Sequence, residues 1–291
     1  MKTYNYFKTS QPACFVFMLL LLVSVPVPGW GVHLAAYYDA RYPTNWADEN
    51  TATEVRDDLA SAGYEILDAD QLKAWMDARL ADHAASVVVF CQDIAPETIV
   101  ETLTAECTLR QYLNAGGKIV VYADIPLWYV GHADNTRTNW WAFGMAGILD
   151  IPGMNWNNNT NSEVTITDAG VEWGLTQTWT SIRWTPVDDP DAFTILATDR
   201  NGNAAAWVKH FVPVDRTRGF VRIFDVDVWR ETVNPPGIED LLRVAEYGLP
   251  KPVCRIRVMA ASMNKRGSIY HGWPELLRPH MMCIWVGILM M

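Results

Sequence analysis

The chain has 291 residues, half of them hydrophobic, with a formal net charge of −10 and 14 Trp. That length and apolar content suffice for one well-buried domain, and the acidic balance argues against a nucleic-acid or anionic-membrane surface. Sugars, neutral small molecules, cations and protein partners stay open; most of the Trp is expected to pack, and some to form exposed platforms that stack on ligand rings.

Lys2 and Lys8 precede the apolar run Phe15–Val25, which Pro26, Pro28 and Gly29 break. A basic head, a short apolar centre and a breaker are expected of an export signal over residues 1–31. Cleavage is expected near Gly29–Val32, with a periplasmic or extracellular destination and no other membrane contact; an uncleaved anchor is the alternative. Of five cysteines, Cys14 falls in this leader, which leaves Cys91, Cys107, Cys254 and Cys283. None has a CxxC or Cys/His spacing that would hold zinc, so no zinc site and no cofactor is expected, while a hard cation held by carboxylates stays open. Cys91 and Cys107 read as buried apolar side chains rather than nucleophiles, and a disulfide stays open.

From residue 32 the chain alternates. His33–Tyr38 is a short apolar run ending at Asp39, expected to be a strand. Thr51-Ala-Thr-Glu54 has capping-box spacing ahead of a helical stripe through Val55, Leu59 and Ala62 to Gly63. Tyr64–Leu67 is a second strand; Asp70 then caps a helix carrying Leu72, Met76 and Leu80. The run Ser86–Cys91 is continuous, as in strands covered on both faces. Pro96 suits a helix start, with Ile99, Leu103 and Cys107 on one face, and Gly116-Gly117 ends that helix before the strand Lys118–Tyr122. Strands separated by helices imply βαβ crossovers and a parallel sheet.

Residues 124–162 change texture, with Trp128, Tyr129, His132, Trp140, Trp141, Trp156 and an Asn run at 157–159. A short helix around Asn139–Leu149 sits in what otherwise reads as a long loop of the kind that carries function; one of Trp140 and Trp141 is expected to face the core and the other solvent. The strand-like runs Glu163–Thr167, Ser181–Trp184, Phe193–Ala197, Ala204–Val208 and Gly219–Phe224 follow, separated by turn residues, and are expected to extend the sheet as mainly antiparallel strands. Asp225 and Asp227 alternate on one face, read as solvated. Ile238–Tyr247 is an amphipathic closing helix, giving a domain over 32–250. Residues 251–291 carry six Lys/Arg against Glu275 alone, end in CIWVGILMM, and form an unassigned tail.

The helix-GG-strand set Leu109, Tyr112, Leu113, Gly116, Gly117, Ile119 and Val120 resembles the class I glutamine amidotransferase-like superfamily. The nearest likeness is to ThuA-like (trehalose-utilisation) proteins and the β-galactosidase middle (trimerisation) domain. Further echoes are Phe143-Gly-Met-Ala-Gly147-Ile, Gly170-Val-Glu-Trp-Gly174-Leu, and the pair Ile195–Asp199 and Gly219–Ile223. The resemblance covers roughly residues 33–248. It implies a flavodoxin-like three-layer α/β sandwich whose parallel sheet is extended by antiparallel strands. The family's catalytic Cys elbow is absent: the strand ends in Tyr122-Ala-Asp-Ile-Pro126, with no nucleophile between glycines, so glutaminase chemistry is not expected.

Ligands of such sheets collect at the C-terminal strand ends. Asp39, Asp93 and Asp124 stand there, with Trp128 and His132 in the following loop, as candidates to bind sugar hydroxyls and stack on a pyranose face. An Asp after a strand also commonly caps a helix or builds an Asx turn, and His132 can equally be a solvated loop residue. The reading is an exported protein binding or processing carbohydrate at that edge. Its rivals are a non-catalytic structural or homo-oligomerising module, and a carboxylate-dependent glycoside hydrolase using Asp39 and Asp124.

Overall fold

A computed structural model of the protein describes residues 31–226 and 237–250. The expected leader up to Trp30, Asp227, Cys254, Cys283 and the tail from residue 251 lie outside the described residues. In chain order the elements are β1 (His33–Tyr37), α1 (Glu49–Ser61), β2 (Glu65–Leu67), α2 (Ala69–Asp82), β3 (Ser86–Phe90), β4 (Ala95–Pro96) and α3 (Thr108–Asn114). Then come β5 (Lys118–Ala123), β6 (Tyr129–Gly131), β7 (Arg137–Asn139), α4 (Ala142–Leu149), β8 (Asn159–Glu163), β9 (Thr165–Ile166) and α5 (Asp168–Glu172). The last are β10 (Thr180–Arg183), β11 (Phe193–Thr198), β12 (Ala204–Lys209), β13 (Gly219–Val226) and α6 (Ile238–Glu246).

These build an α/β domain around one mixed sheet of eight strands in the order β2-β1-β3-β5-β13-β12-β11-β9. The first five run parallel. The other three are antiparallel to their neighbours. The continuous apolar runs of β3 and β5 are buried at every position because helices cover both faces. Successive strand side chains point to opposite faces, so the core divides in two. Tyr37, Val88, Ile119 and Val121 meet Leu72 and Met76 of α2, Leu109 and Leu113 of α3, and Ile148 of α4. Ala36, Val89, Val120 and Val221 meet Val55 and Leu59 of α1 and Leu241 and Val244 of α6.

The glycine pair before β5 has two separate causes. Gly116 has φ +87°, the left-handed conformation that ends α3. A Cβ on Gly117 would fall 2.3 Å from the Tyr112 ring, whose hydroxyl hydrogen-bonds Ser86 Oγ at 3.0 Å under the sheet.

Several local expectations shift. The helix from Pro96 does not form: Pro96 pairs with Gly131 in a short parallel bridge, and only Thr108–Asn114 is helical. The start is fixed by the Glu101 carboxylate, which accepts from Thr108 N (3.0 Å) and Thr108 Oγ1 (2.6 Å). Helix α1 is capped by Asp48 rather than by Thr51, and α2 by Asp68 in a capping box with Gln71 rather than by Asp70. Strand β10 leaves the main sheet and forms an antiparallel ribbon with β8. Strands β4, β6 and β7 form a third small sheet. Strand β13 runs parallel to β5 and antiparallel to β12. Asp225 is fully buried instead of solvated. Cys91 and Cys107 are free and buried.

Candidate functional site

The chain leaving the C-terminal end of β5 runs into an open cleft of about 460 Å³ lined by Trp128, Tyr129, Trp141, Asn155, Trp156 and Asn157. Small-molecule sites fall in this size range, with mostly apolar walls and a few polar groups. The two small ribbons supply the walls. Tyr129 opens β6, Trp141 follows β7, and Asn155–Asn157 precede β8. Trp128 is 5% exposed and meets Trp141 edge-on, ring centroids 5.4 Å apart. Trp141 and Trp156 are 52% and 46% exposed, so two large rings are half open to solvent. Buried Trp46 stands behind, its centroid 5.7 Å from both Tyr129 and Trp156. At the rim, Asn155 Oδ1 accepts from Asn157 N at 2.8 Å and its Nδ2 donates to Gly153 O at 2.9 Å.

Two bulky residues beside the cleft have strained backbone. Leu127 has φ +57° and Trp141 φ +54°, conformations that bulky L residues rarely adopt. The neighbours enforce them. The N–H groups of Trp140 and Trp141 both donate to Trp128 O, at 2.9 and 3.1 Å. Helix α4 sits so close that a Cβ on Gly144 would lie 1.9 Å from Leu127 O. Strain held by surrounding structure clusters at ligand sites.

Beneath the cleft lie four fully buried charges, Asp124, Arg183, Arg222 and Asp225. Arg183 Nε reaches both Asp124 oxygens at 2.8 and 2.9 Å. Its Nη1 donates to Trp156 O at 2.5 Å and Asn159 Oδ1 at 2.7 Å, and its guanidinium lies 4.3 Å from the Trp156 ring centroid. Arg222 donates to the carbonyls of Ala123, Asp124, Arg183 and Ala205 and pairs with Asp225 at 3.2 Å. Asp225 also accepts from Trp179 Nε1 and from the Ile182 and Arg183 amides. Burial pushes the Asp124 carboxyl up to about 6, against the pull of Arg183.

Of the five residues singled out from the sequence, Trp128 lines the cleft. Asp39, Asp93 and Asp124 do not meet at one opening. Asp39 is ion-paired with Arg41 at 2.7 Å and accepts from Ala69 N at 3.1 Å. Burial works against its ionisation, but these bonds win and its pKa is lowered. Asp93 accepts from Asn45 N (3.0 Å) and Trp46 N (2.7 Å), and burial pushes it up to about 6. His132 bridges Glu97 (2.6 Å) and Thr138 Oγ1 (2.9 Å) across the β6–β7 turn. The sequence reading placed Trp156 in the loop and took the Asn run for a turn. It did not find Arg183, whose only signal was a lone basic residue between Ile182 and Trp184 in a short strand-like run. Among the described residues no group of three or more His, Cys, Asp and Glu is placed to hold a metal, and no described helix is long and apolar enough to cross a membrane.

Sheet and cleft together define an α/β protein with an aromatic-walled opening beyond the parallel half of a mixed sheet. The chain belongs to the MJECL34 family, which it matches over residues 32–246. It is similar to a protein of Methanocaldococcus jannaschii described as "Uncharacterized protein MJECL34", 29% identical over 246 residues that cover 80% of this chain and 81% of the relative.

Proposed function

We propose that the protein is exported and binds carbohydrate in the cleft between Trp141 and Trp156. The supporting observation is that two half-exposed indoles line one opening while Asn155 and Asn157 stand at its rim. A pyranose has an apolar C–H face that stacks on an indole and equatorial hydroxyls that pair with amide side chains. Binding is favoured over hydrolysis because the two carboxylates nominated for catalysis, Asp39 and Asp124, are each engaged by an arginine. The test is a glycan panel against Trp141→Ala and Trp156→Ala. Each stacking ring is worth about 1 kcal/mol or more, so each variant is expected to lose about fivefold or more in affinity. Equal binding by wild type and both variants would sink the site.

A finer fold assignment goes with this reading: a flavodoxin-like sheet of the class I glutamine amidotransferase-like kind, without its chemistry. The strand order β2-β1-β3-β5-β13 in its parallel half supports it. So does the exit of β5 through Ala123 and Asp124, where that superfamily carries a Cys elbow. Buried Cys91, its thiol pushed up by burial, offers no substitute. Incubation with glutamine is expected to release no ammonia; release by the purified protein would overturn the claim that the chemistry is missing and leave the fold assignment standing.

A further inference from the structure

We infer that the cleft takes a neutral, extended oligosaccharide, with Phe143 as an outer stacking platform beyond Trp141; this rests on the carbohydrate reading and names its ligand class. Three observations carry it. First, among the described residues the six that line the cleft are uncharged, and the chain's net charge of −10 opposes an acidic glycan at range.

Second, a cationic ligand is disfavoured although the walls are aromatic. Guanidinium groups already sit over two of the rings, Arg137 at 4.5 Å from the Tyr129 centroid and Arg183 at 4.3 Å from that of Trp156. Neither arginine lines the cleft. A cation held at a ring draws on the same quadrupole that a second cation would need, and adds repulsion.

Third, a further exposed ring stands close to the opening along the chain. Phe143 is 69% exposed, more than Trp141 or Trp156. It lies two residues beyond Trp141, no more than about 7 Å away along the chain. Its N–H donates to Trp140 O at 3.1 Å in the first turn of α4. That helix is seated by two glycines: a Cβ on Gly144 would lie 1.9 Å from Leu127 O, and one on Gly147 2.1 Å from Leu103 O. The backbone that carries Phe143 is therefore held in the first turn of a seated helix. A ligand that uses Trp156, Trp141 and Phe143 in turn must be longer than one ring, and a single sugar cannot reach all three.

The experiment is a calorimetric titration with neutral cello-, malto- and chito-oligosaccharides of two to six units, with acidic oligogalacturonides and tetramethylammonium chloride as further arms. Affinity for one neutral series is expected to rise at least tenfold from dimer to hexamer, and Phe143→Ala is expected to flatten that rise. Equal affinity at all lengths, or an unaltered rise in Phe143→Ala, overturns the inference and leaves the carbohydrate reading standing. Preference for oligogalacturonides overturns the neutral ligand class alone. Binding of tetramethylammonium but of no sugar overturns both readings in favour of a cation cage. Phe143 is exposed, so its replacement spares the core, and a wild-type circular dichroism spectrum verifies that.

Discussion

Asp124 and Arg183 face each other with no solvent on either side chain. In such a pair the cost of removing two charges from water is offset only by close geometry and further hydrogen bonds, and deleting one partner leaves the other charge stranded. Here the geometry is close: one guanidinium nitrogen reaches both carboxylate oxygens, and another reaches the Trp156 carbonyl. Asp124→Ala is therefore expected to destabilise the fold by roughly 3–5 kcal/mol, read as a shift in the urea midpoint. The Asp124→Asn variant, which keeps an acceptor for Arg183, is expected to lose less; equal losses would show that the lost charge alone, and not the lost acceptor, sets the cost. At this scale the sequence was half legible. That acids end the parallel strands could be read directly, because a strand end is a local feature. What each acid touches could not, because the partners come from far along the chain: Arg183 for Asp124, Asn45 and Trp46 for Asp93, Ala69 for Asp39.

The β11–β12 hairpin is tied to the turn before β13 by one histidine. His210 Nδ1 lies 2.8 Å from Arg218 O, and a carbonyl can only accept, so Nδ1 carries the proton. Nε2, 2.8 Å from Thr194 Oγ1, is then the acceptor of the threonine hydroxyl. Burial lowers the His210 pKa from 6.5 to about 4, which keeps the ring neutral at pH 7 and Nε2 an acceptor. Because the folded pKa lies below the unfolded one, the unfolded chain binds the proton first as pH falls. His210 therefore costs stability progressively between pH 6.5 and 4, about 3 kcal/mol in all. Asp93 and Asp124, raised to about 6, slope the other way below pH 6, so the test is a difference. Wild type minus His210→Gln, by urea unfolding at pH 7, 6, 5 and 4, is expected to lose stability toward acid; a flat difference would remove the histidine from the account.

Elements built from continuous apolar runs, such as β3 and β5, were readable because each run carries its own period. The helix expected from Pro96 was misleading because an apolar three-and-four spacing does not reveal that Glu101 reaches forward to start α3 at Thr108. The separation of β10 into its own ribbon was equally hidden. The buried Asp225 that accepts its backbone amides lies more than forty residues downstream.

On the scale of the whole molecule, the sheet has two locally connected halves and one seam. Strands β1, β2, β3 and β5 follow one another with single intervening segments, and β11 and β12 form a hairpin. The seam joins β5 to β13 with Lys118 opposite Gly219, 219 − 118 = 101 residues apart. Closing so long a loop costs entropy before any contact repays it, so such pairings form late. Until then β5, buried along its whole length in the native state, presents an unpaired apolar edge. Val221 is fully buried in β13 opposite Val120. Val221→Ala is expected to cost about 2 kcal/mol, nearly all of it as unfolding accelerated about thirtyfold, with refolding little changed. A matching slowdown in refolding would place the seam in the folding nucleus. The same delay sets a concentration limit: dilute refolding lets β13 reach its own β5, and crowded refolding lets another chain's strand arrive first.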